Sequence, residues 1–205
     1  MRHGTGELYE GITQAIYIGD WENDLPHGYG HVEWLNGCQF TGKVDAGRLA
    51  EGSFTFSSGN HYDGNFDEHS GKFSGRGTYS NHEQIIKGEW KDGKLNGKGE
   101  RKFVNGDLYS GFWVDDHLEG SGSFATKEGK YQGEFHKSLE HGHGTRFYPN
   151  GANYKGEWLS GLRNGKGLFK DPNQNNLTYD GYFRNNYRDG FGIETKDAPG
   201  YYREG

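Results

Sequence analysis

One short phrase recurs along the whole chain. An apolar residue, usually a ring, followed by x-Gly-x and a second ring or apolar residue, begins at Tyr17, Phe40, Tyr62, Ile86, Tyr109, Tyr131, Tyr154 and Tyr179. The intervals are 23, 22, 24, 23, 22, 23 and 25 residues, and the central glycine is present in all eight copies. A period of this length over 205 residues confines the chain to repeat architectures, in which each unit buries its apolar face against its neighbours.

Alternation within a copy gives its secondary structure. Tyr17, Gly19 and Trp21 occupy every second position, so in a strand they share one face. The residues between them point the other way and are polar in most copies, as in Lys87/Glu89/Lys91, Gln132/Glu134/His136 and Lys155/Glu157. The copy at Tyr109 departs from this, with Phe112 and Val114 on the outward parity. Each phrase leads into residues that tolerate positive φ: Asn23-Asp24, Asp92-Gly93, Asp115-Asp116, Ser160-Gly161 and Asn185-Asn186. Seven residues after the last aromatic comes Gly-x-Gly, at Gly28/Gly30, Gly97/Gly99, Gly120/Gly122, Gly142/Gly144, Gly165/Gly167 and Gly190/Gly192. The copy at Tyr62 delays the pair to Gly75/Gly77, and the copy at Phe40 keeps only Gly52. The return segment then ends in a ring or aliphatic side chain, such as Trp34, Phe103, Phe124, Phe147 or Phe169, and Asn36-Gly37, Asn105-Gly106 and Asn150-Gly151 mark a second turn. Each copy therefore predicts a β-hairpin.

The fold class follows: all-β, an elongated twisted single-layer antiparallel sheet of stacked hairpins. Hydrophobic residues make up only 30% of the chain while aromatics reach 16%. Such a chain cannot fill a thick aliphatic core, but rings each bury on the order of 150–250 Å². Glycine inside a strand ordinarily weakens it. Here 37 glycines alternate with rings, and we read them as sockets over which a neighbouring strand's ring lies. Strands ~4.8 Å apart make eight repeats roughly 80 Å long.

This pattern resembles the MORN (membrane occupation and recognition nexus) repeat: Tyr-x-Gly-x-Trp, a turn, then His or Asn before Gly-x-Gly, as at His27, Asn96, His141 and Asn164. It covers residues 1–205 as a single array, with a partial repeat at 1–16 around His3-Gly4-x-Gly6 and another at 201–205. The resemblance implies a scaffold or adaptor that binds partner segments along the repeat groove, in cytoskeletal settings such as cilia, flagella and membrane–cytoskeleton junctions. It also implies self-association in some members, membrane association, and in other members attachment to lipid kinases or a lysine methyltransferase. Both ends fall within a repeat, so a regulatory region of a larger enzyme is a further expectation.

The remaining features narrow the function classes. A net charge of −6 and a pI of about 5.9 do not suit a phosphate-neutralising footprint, so nucleic acid is not expected as a partner. Cys38 is the sole cysteine, which precludes an internal disulfide and fits a reducing compartment. No run approaches the ~18 apolar residues of a membrane span. The opening MRHGTGELYEG lacks the apolar stretch of a signal peptide. A soluble cytoplasmic protein is expected.

Candidate sites are few. Gly161 to Gly167 looks like a phosphate loop with Lys166 among its glycines, but a Walker A motif needs four residues between Gly and Gly-Lys, then Ser or Thr. Gly161 and Gly165 enclose three, and Gly167 follows Lys166. Ten histidines, His141 and His143 among them, show no zinc-ligand spacing, so no metal or cofactor is expected. No Gly-x-Ser-x-Gly elbow or other catalytic constellation occurs, and no enzyme activity is expected. Lys87, Lys91, Lys94, Lys98, Arg101 and Lys102 form a basic cluster that could touch anionic lipid, although Glu89, Asp92 and Glu100 interrupt it. The principal candidate is the aromatic face, read as a groove for a helix, an extended peptide or a second copy: Tyr17, Trp21, Trp90, Tyr109, Trp113, Tyr131, Phe135, Tyr154, Trp158, Tyr179 and Phe183.

Overall fold

The computed structural model describes residues 2–11 and 14–197. Its regular structure among these residues is entirely strand. The chain forms two compact units, residues 1–104 and 105–205. The first unit holds β1 (Gly4–Glu10), β2 (Ala15–Glu22), β3 (Leu25–Trp34), β4 (Gln39–Asp45), β5 (Arg48–Thr55), β6 (His61–Phe66), β7 (Phe73–Ser80), β8 (Gln84–Lys91) and β9 (Lys94–Phe103). The second holds β10 (Leu108–Val114), β11 (His117–Thr126), β12 (Gly129–His136), β13 (Leu139–Phe147), β14 (Asn153–Leu159), β15 (Leu162–Asp171), β16 (Leu177–Arg184) and β17 (Tyr187–Thr195). Within each unit every strand pairs antiparallel with the next in chain order. The partial repeat expected at 201–205 lies outside the described residues.

Turn chemistry sets this meander. Asn23 and Asp24 sit at φ 52° and 67°, and Asn185 and Asn186 at 48° and 70°. Two successive residues of positive φ match the twist of the flanking strands. The Asp115-Asp116 and Ser160-Gly161 turns repeat this geometry, and so does Lys137-Ser138, at 50° and 65°. That last turn holds no Gly, Asn or Asp, so pairing of the flanking strands imposes it rather than residue preference.

One glycine per strand lines up across each unit. In the first unit Gly6, Gly19, Gly30, Gly42, Gly52, Gly64, Gly77, Gly88 and Gly99 face one another in succession. In the second the row is Gly111, Gly122, Gly133, Gly144, Gly156, Gly167, Gly181 and Gly192. The other glycine of Gly-x-Gly does different work. Gly165, at φ +83°, sits in a bulge where the β14–β15 register slips between Gly156 and Trp158. There Oε1 of Glu157 accepts a hydrogen bond from the Lys166 N–H at 3.0 Å. Asp20 and Glu134 do the same for the N–H groups of Tyr29 and His143, each at 3.0 Å. The copy at Phe40, which keeps only Gly52, keeps the glycine of the row.

Candidate functional site

Rings lie on the glycine row. Tyr154 covers Gly156 in its own strand and Gly167 in the return strand; a Cβ on Gly156 would stand 2.6 Å from the Tyr154 hydroxyl, closer than side-chain atoms approach. That hydroxyl donates to the Glu157 carbonyl at 3.0 Å. Tyr62 and Tyr131 make the same i to i+3 bond at 3.0 Å, and Tyr17 at 2.7 Å. The sequence reading of glycines as sockets thus holds for the row, with the correction that each ring also covers a glycine of its own strand. Burial pushes the hydroxyl pKa of Tyr62 and of Tyr154 up to about 12.

The rings meet edge to face. Tyr131 contacts Phe135 of its own repeat at 5.1 Å and Trp158 of the next at 5.4 Å. Tyr154 contacts Trp158 at 5.1 Å and Phe183 at 5.0 Å. Such pairs contribute about 0.5–1.5 kcal/mol beyond buried area. Each tyrosine therefore ties two repeats together. Indole N–H groups add a second tie, from Trp90 to the Gly77 carbonyl at 3.0 Å and from Trp158 to the Gly144 carbonyl at 3.2 Å.

This packing places the residues singled out from the sequence. Tyr17, Trp21, Trp90, Trp113, Tyr131, Phe135, Tyr154, Trp158, Tyr179 and Phe183 are all at most 7% exposed. They form the core of a single-layer sheet and the floor of its aromatic face. Tyr109 alone is half-buried, beside Phe124 at 5.8 Å. Its socket is taken by Leu118, fully buried against Gly111 and Gly122. Leu95 fills the corresponding socket of Gly88 and Gly99 in the copy that opens with Ile86.

A second row of side chains on this face remains half-exposed: Trp34, Phe54, Phe56 and Tyr79 in the first unit, Phe124, Tyr148 and Phe169 in the second. All seven lie two or four residues beyond the row glycine of a return strand, the parity that would have identified them. Phe147 is a correction. It lies on the opposite face at 51% exposure, and Arg146 takes the position across from Tyr131. Arg163 and Arg188 also lie on the aromatic face, opposite Trp158 and Phe183. The Arg146 guanidinium lies 5.2 Å from the Phe124 centroid and pairs with buried Glu140 at 2.5 Å. Arg188 lies 4.4 Å from the Tyr179 centroid and pairs with Glu194. Arg163 lies 5.2–5.6 Å from the Phe183, Phe169 and Tyr154 centroids.

The opposite face mixes charged and polar side chains with exposed apolar ones such as Tyr29, Phe112, Phe147 and Tyr182. Lys87, Lys91, Lys94, Lys98 and Lys102 are exposed there on β8 and β9, with Glu89 and Glu100 between them. Arg101 does not belong to this cluster: it lies opposite Ile86 on the aromatic face and is half-buried. Lys166 of the apparent phosphate loop lines a shallow depression of about 610 Å³ with His143, Lys155, Glu157 and Asp180, floored by Gly144, Gly156 and Gly167. The loop itself is the hairpin turn and bulge of β14–β15. His27 bridges Glu22 and Asp45 at 3.3 and 3.1 Å. Among the described residues no group of three or more His, Cys, Asp or Glu is placed to hold a metal ion.

Fold and site together define a class of protein: a β-hairpin repeat protein whose core is a file of rings seated on a row of glycines. The chain belongs to the MORN repeat family, whose profile matches residues 17–39, 87–108, 109–129, 131–152, 154–176 and 179–197. The copies at Phe40 and Tyr62 fall outside those matches, yet both seat their ring on the glycine row in the same way. Alsin of Rattus norvegicus and of Homo sapiens are each 27% identical over 109 residues, 53% of this chain; the chain spans only 6% of their length. Solved structures with some likeness include the SAS-4 (dCPAP) TCP domain of Drosophila melanogaster in complex with a proline-rich motif of Ana2 (dSTIL), with 12% identity, 88% of this chain and 90% of that chain covered, and a TM-score of 0.46. A mutant TCP10 domain of Danio rerio CPAP gives 10%, 94%, 89% and 0.32.

Proposed function

We propose that this chain is a non-enzymatic scaffold that binds a helical or extended segment of another protein on its aromatic face. The carrying observation is the second row of half-exposed rings above a fully buried floor. Among the described residues no helix or further sheet covers that row. Accessible apolar surface of this kind, contiguous in the first unit where Phe54 contacts Trp34 and Phe56, marks partner sites, and repeat sheets offer extended ones. A cytoplasmic, cytoskeletal or ciliary setting is part of the proposal and rests on family resemblance. Affinity capture with cross-linking from a ciliated-cell extract tests it. Phe54→Ser and Phe169→Ser variants that still fold should lose captured partners; unchanged capture by both overturns the reading.

A second reading, attachment to anionic lipid, is favoured by one observation: five of the six basic side chains of the β8–β9 cluster share one exposed face. Flotation with phosphoinositide vesicles tests it, Lys94→Glu and Lys98→Glu being expected to abolish binding. Absence of flotation at low salt removes this reading.

A further inference from the structure

The first aromatic-face position after each hairpin turn differs among repeats. Leu95 lies opposite Trp90 and Leu118 opposite Trp113, and both are fully buried. In the next three repeats of the second unit the position holds Glu140, Arg163 and Arg188, opposite Phe135, Trp158 and Phe183. Glu140 is matched by Arg146, and Arg188 by Glu194. Among the described residues no carboxylate lies within ion-pair reach of Arg163. Its Nη2 donates to the Asn186 carbonyl at 2.8 Å and its Nε is buried without an acceptor, which leaves Nη1 and the second Nη2 hydrogen as the donors open to a partner. The guanidinium carries five N–H donors in a fixed fork. Three rings beneath it compensate part of its desolvation through cation–π attraction but accept no conventional hydrogen bond.

We propose that Arg163 is a recognition residue for an acidic peptide, whose carboxylate pairs with the guanidinium while neighbouring apolar side chains of the peptide rest on Phe169 and Tyr148. The inference rests on the reading above that this face binds protein, and adds the chemistry of the partner. A carboxylate presents two oxygens to the fork and makes a strong charge-assisted contact on a site already half out of water. A lone cation among rings suits a peptide better than other anions. Membrane surfaces are held by clusters of basic residues, and nucleic acid by many phosphate contacts. The side chains of an extended segment alternate faces, which lets an acid and its apolar neighbours two residues away reach the same surface.

The test is selection of a random twelve-residue display library on the whole chain. Recovered peptides should be enriched in Asp or Glu beside aromatic or aliphatic residues. A synthetic peptide from that pool should bind Arg163→Leu about tenfold more weakly, and its own Glu→Gln version should bind the native chain about tenfold more weakly. Combining the two changes should add little more. Leucine is the replacement because Leu95 and Leu118 fill the same slot. If that variant does not fold, Arg163→Lys and the Glu→Gln peptide still decide the matter. A recovered pool without acidic enrichment, or equal binding of the Glu and Gln peptides, overturns the inference and leaves the scaffold reading standing. An empty selection overturns both. Phosphatidylserine vesicles that bind through Arg163 while the acidic peptides do not would reassign the ligand and also overturn it.

Discussion

Tyr154 lies flat across Gly167, and a Cβ on that glycine would collide with the ring carbons and the hydroxyl. Two residues earlier, Gly165 has its own constraint, a φ of +83°. The two glycines of the motif are thus required for different reasons: at Gly167 a Cβ meets a packed ring, whereas at Gly165 the left-handed backbone is the main constraint and a Cβ meets the carboxylate arm of Glu157 at 2.6 Å. Gly167→Ala should destabilise the protein by about 1–3 kcal/mol through overpacking. Gly165→Ala should cost roughly 1–2 kcal/mol for its left-handed backbone, and Gly165→Asn should recover part of that. Gly167→Asn should recover none. Urea denaturation of the four variants checks this, and recovery by asparagine at position 167 contradicts the assignment.

The tyrosine hydroxyl and the tyrosine ring make separable contributions. Tyr154→Phe keeps the ring over the glycines and loses only the bond to the Glu157 carbonyl. A cost of about 0.5–1.5 kcal/mol is expected. Tyr154→Ala empties the socket and removes contacts to Trp158 and Phe183, for about 3–5 kcal/mol. Equal losses in thermal or denaturant melts count against the ring-on-glycine packing.

In the copy at Tyr109 the ranking should invert. Leu118 is fully buried in the glycine socket, whereas Tyr109 is half-buried beside Phe124. Leu118→Ala should cost about 2–5 kcal/mol, and Tyr109→Ala less. A larger loss at Tyr109 in equilibrium unfolding sets the prediction aside.

Alkaline pH should weaken the fold. Burial raises the hydroxyl pKa of Tyr62 and Tyr154 to about 12, against roughly 10 in an unfolded chain. Between these values the folded protein holds protons that the unfolded chain has lost. Their stabilisation is complete below about pH 10 and is lost as pH rises through about 12. Melting temperature should fall over that window, and less steeply in Tyr62→Phe and Tyr154→Phe. An unchanged slope in both variants rules out these two phenols as the cause.

The sequence by itself determined the hairpin. Gly19, Gly42, Gly64 and their counterparts recur at near-constant spacing; ring and glycine share a parity; and Asn23-Asp24 or Asn185-Asn186 mark the turns. All of these are local and readable along one strand. Tertiary structure decided which side chain occupies each socket. Leu95 and Leu118 fill theirs from the return strand in the copies opening with Ile86 and Tyr109, a competition across strands that no single repeat reveals. It also decided that Tyr17, Trp158 and the other named rings are buried floor, because rings of the same repeat, and for Tyr131 and Tyr154 of the next one, pack against them. The surface left to a partner is the second row, with Arg163 set among its rings. The charge of that arginine is plain in the sequence. That no carboxylate of the described chain reaches it depends on which strands lie beside it.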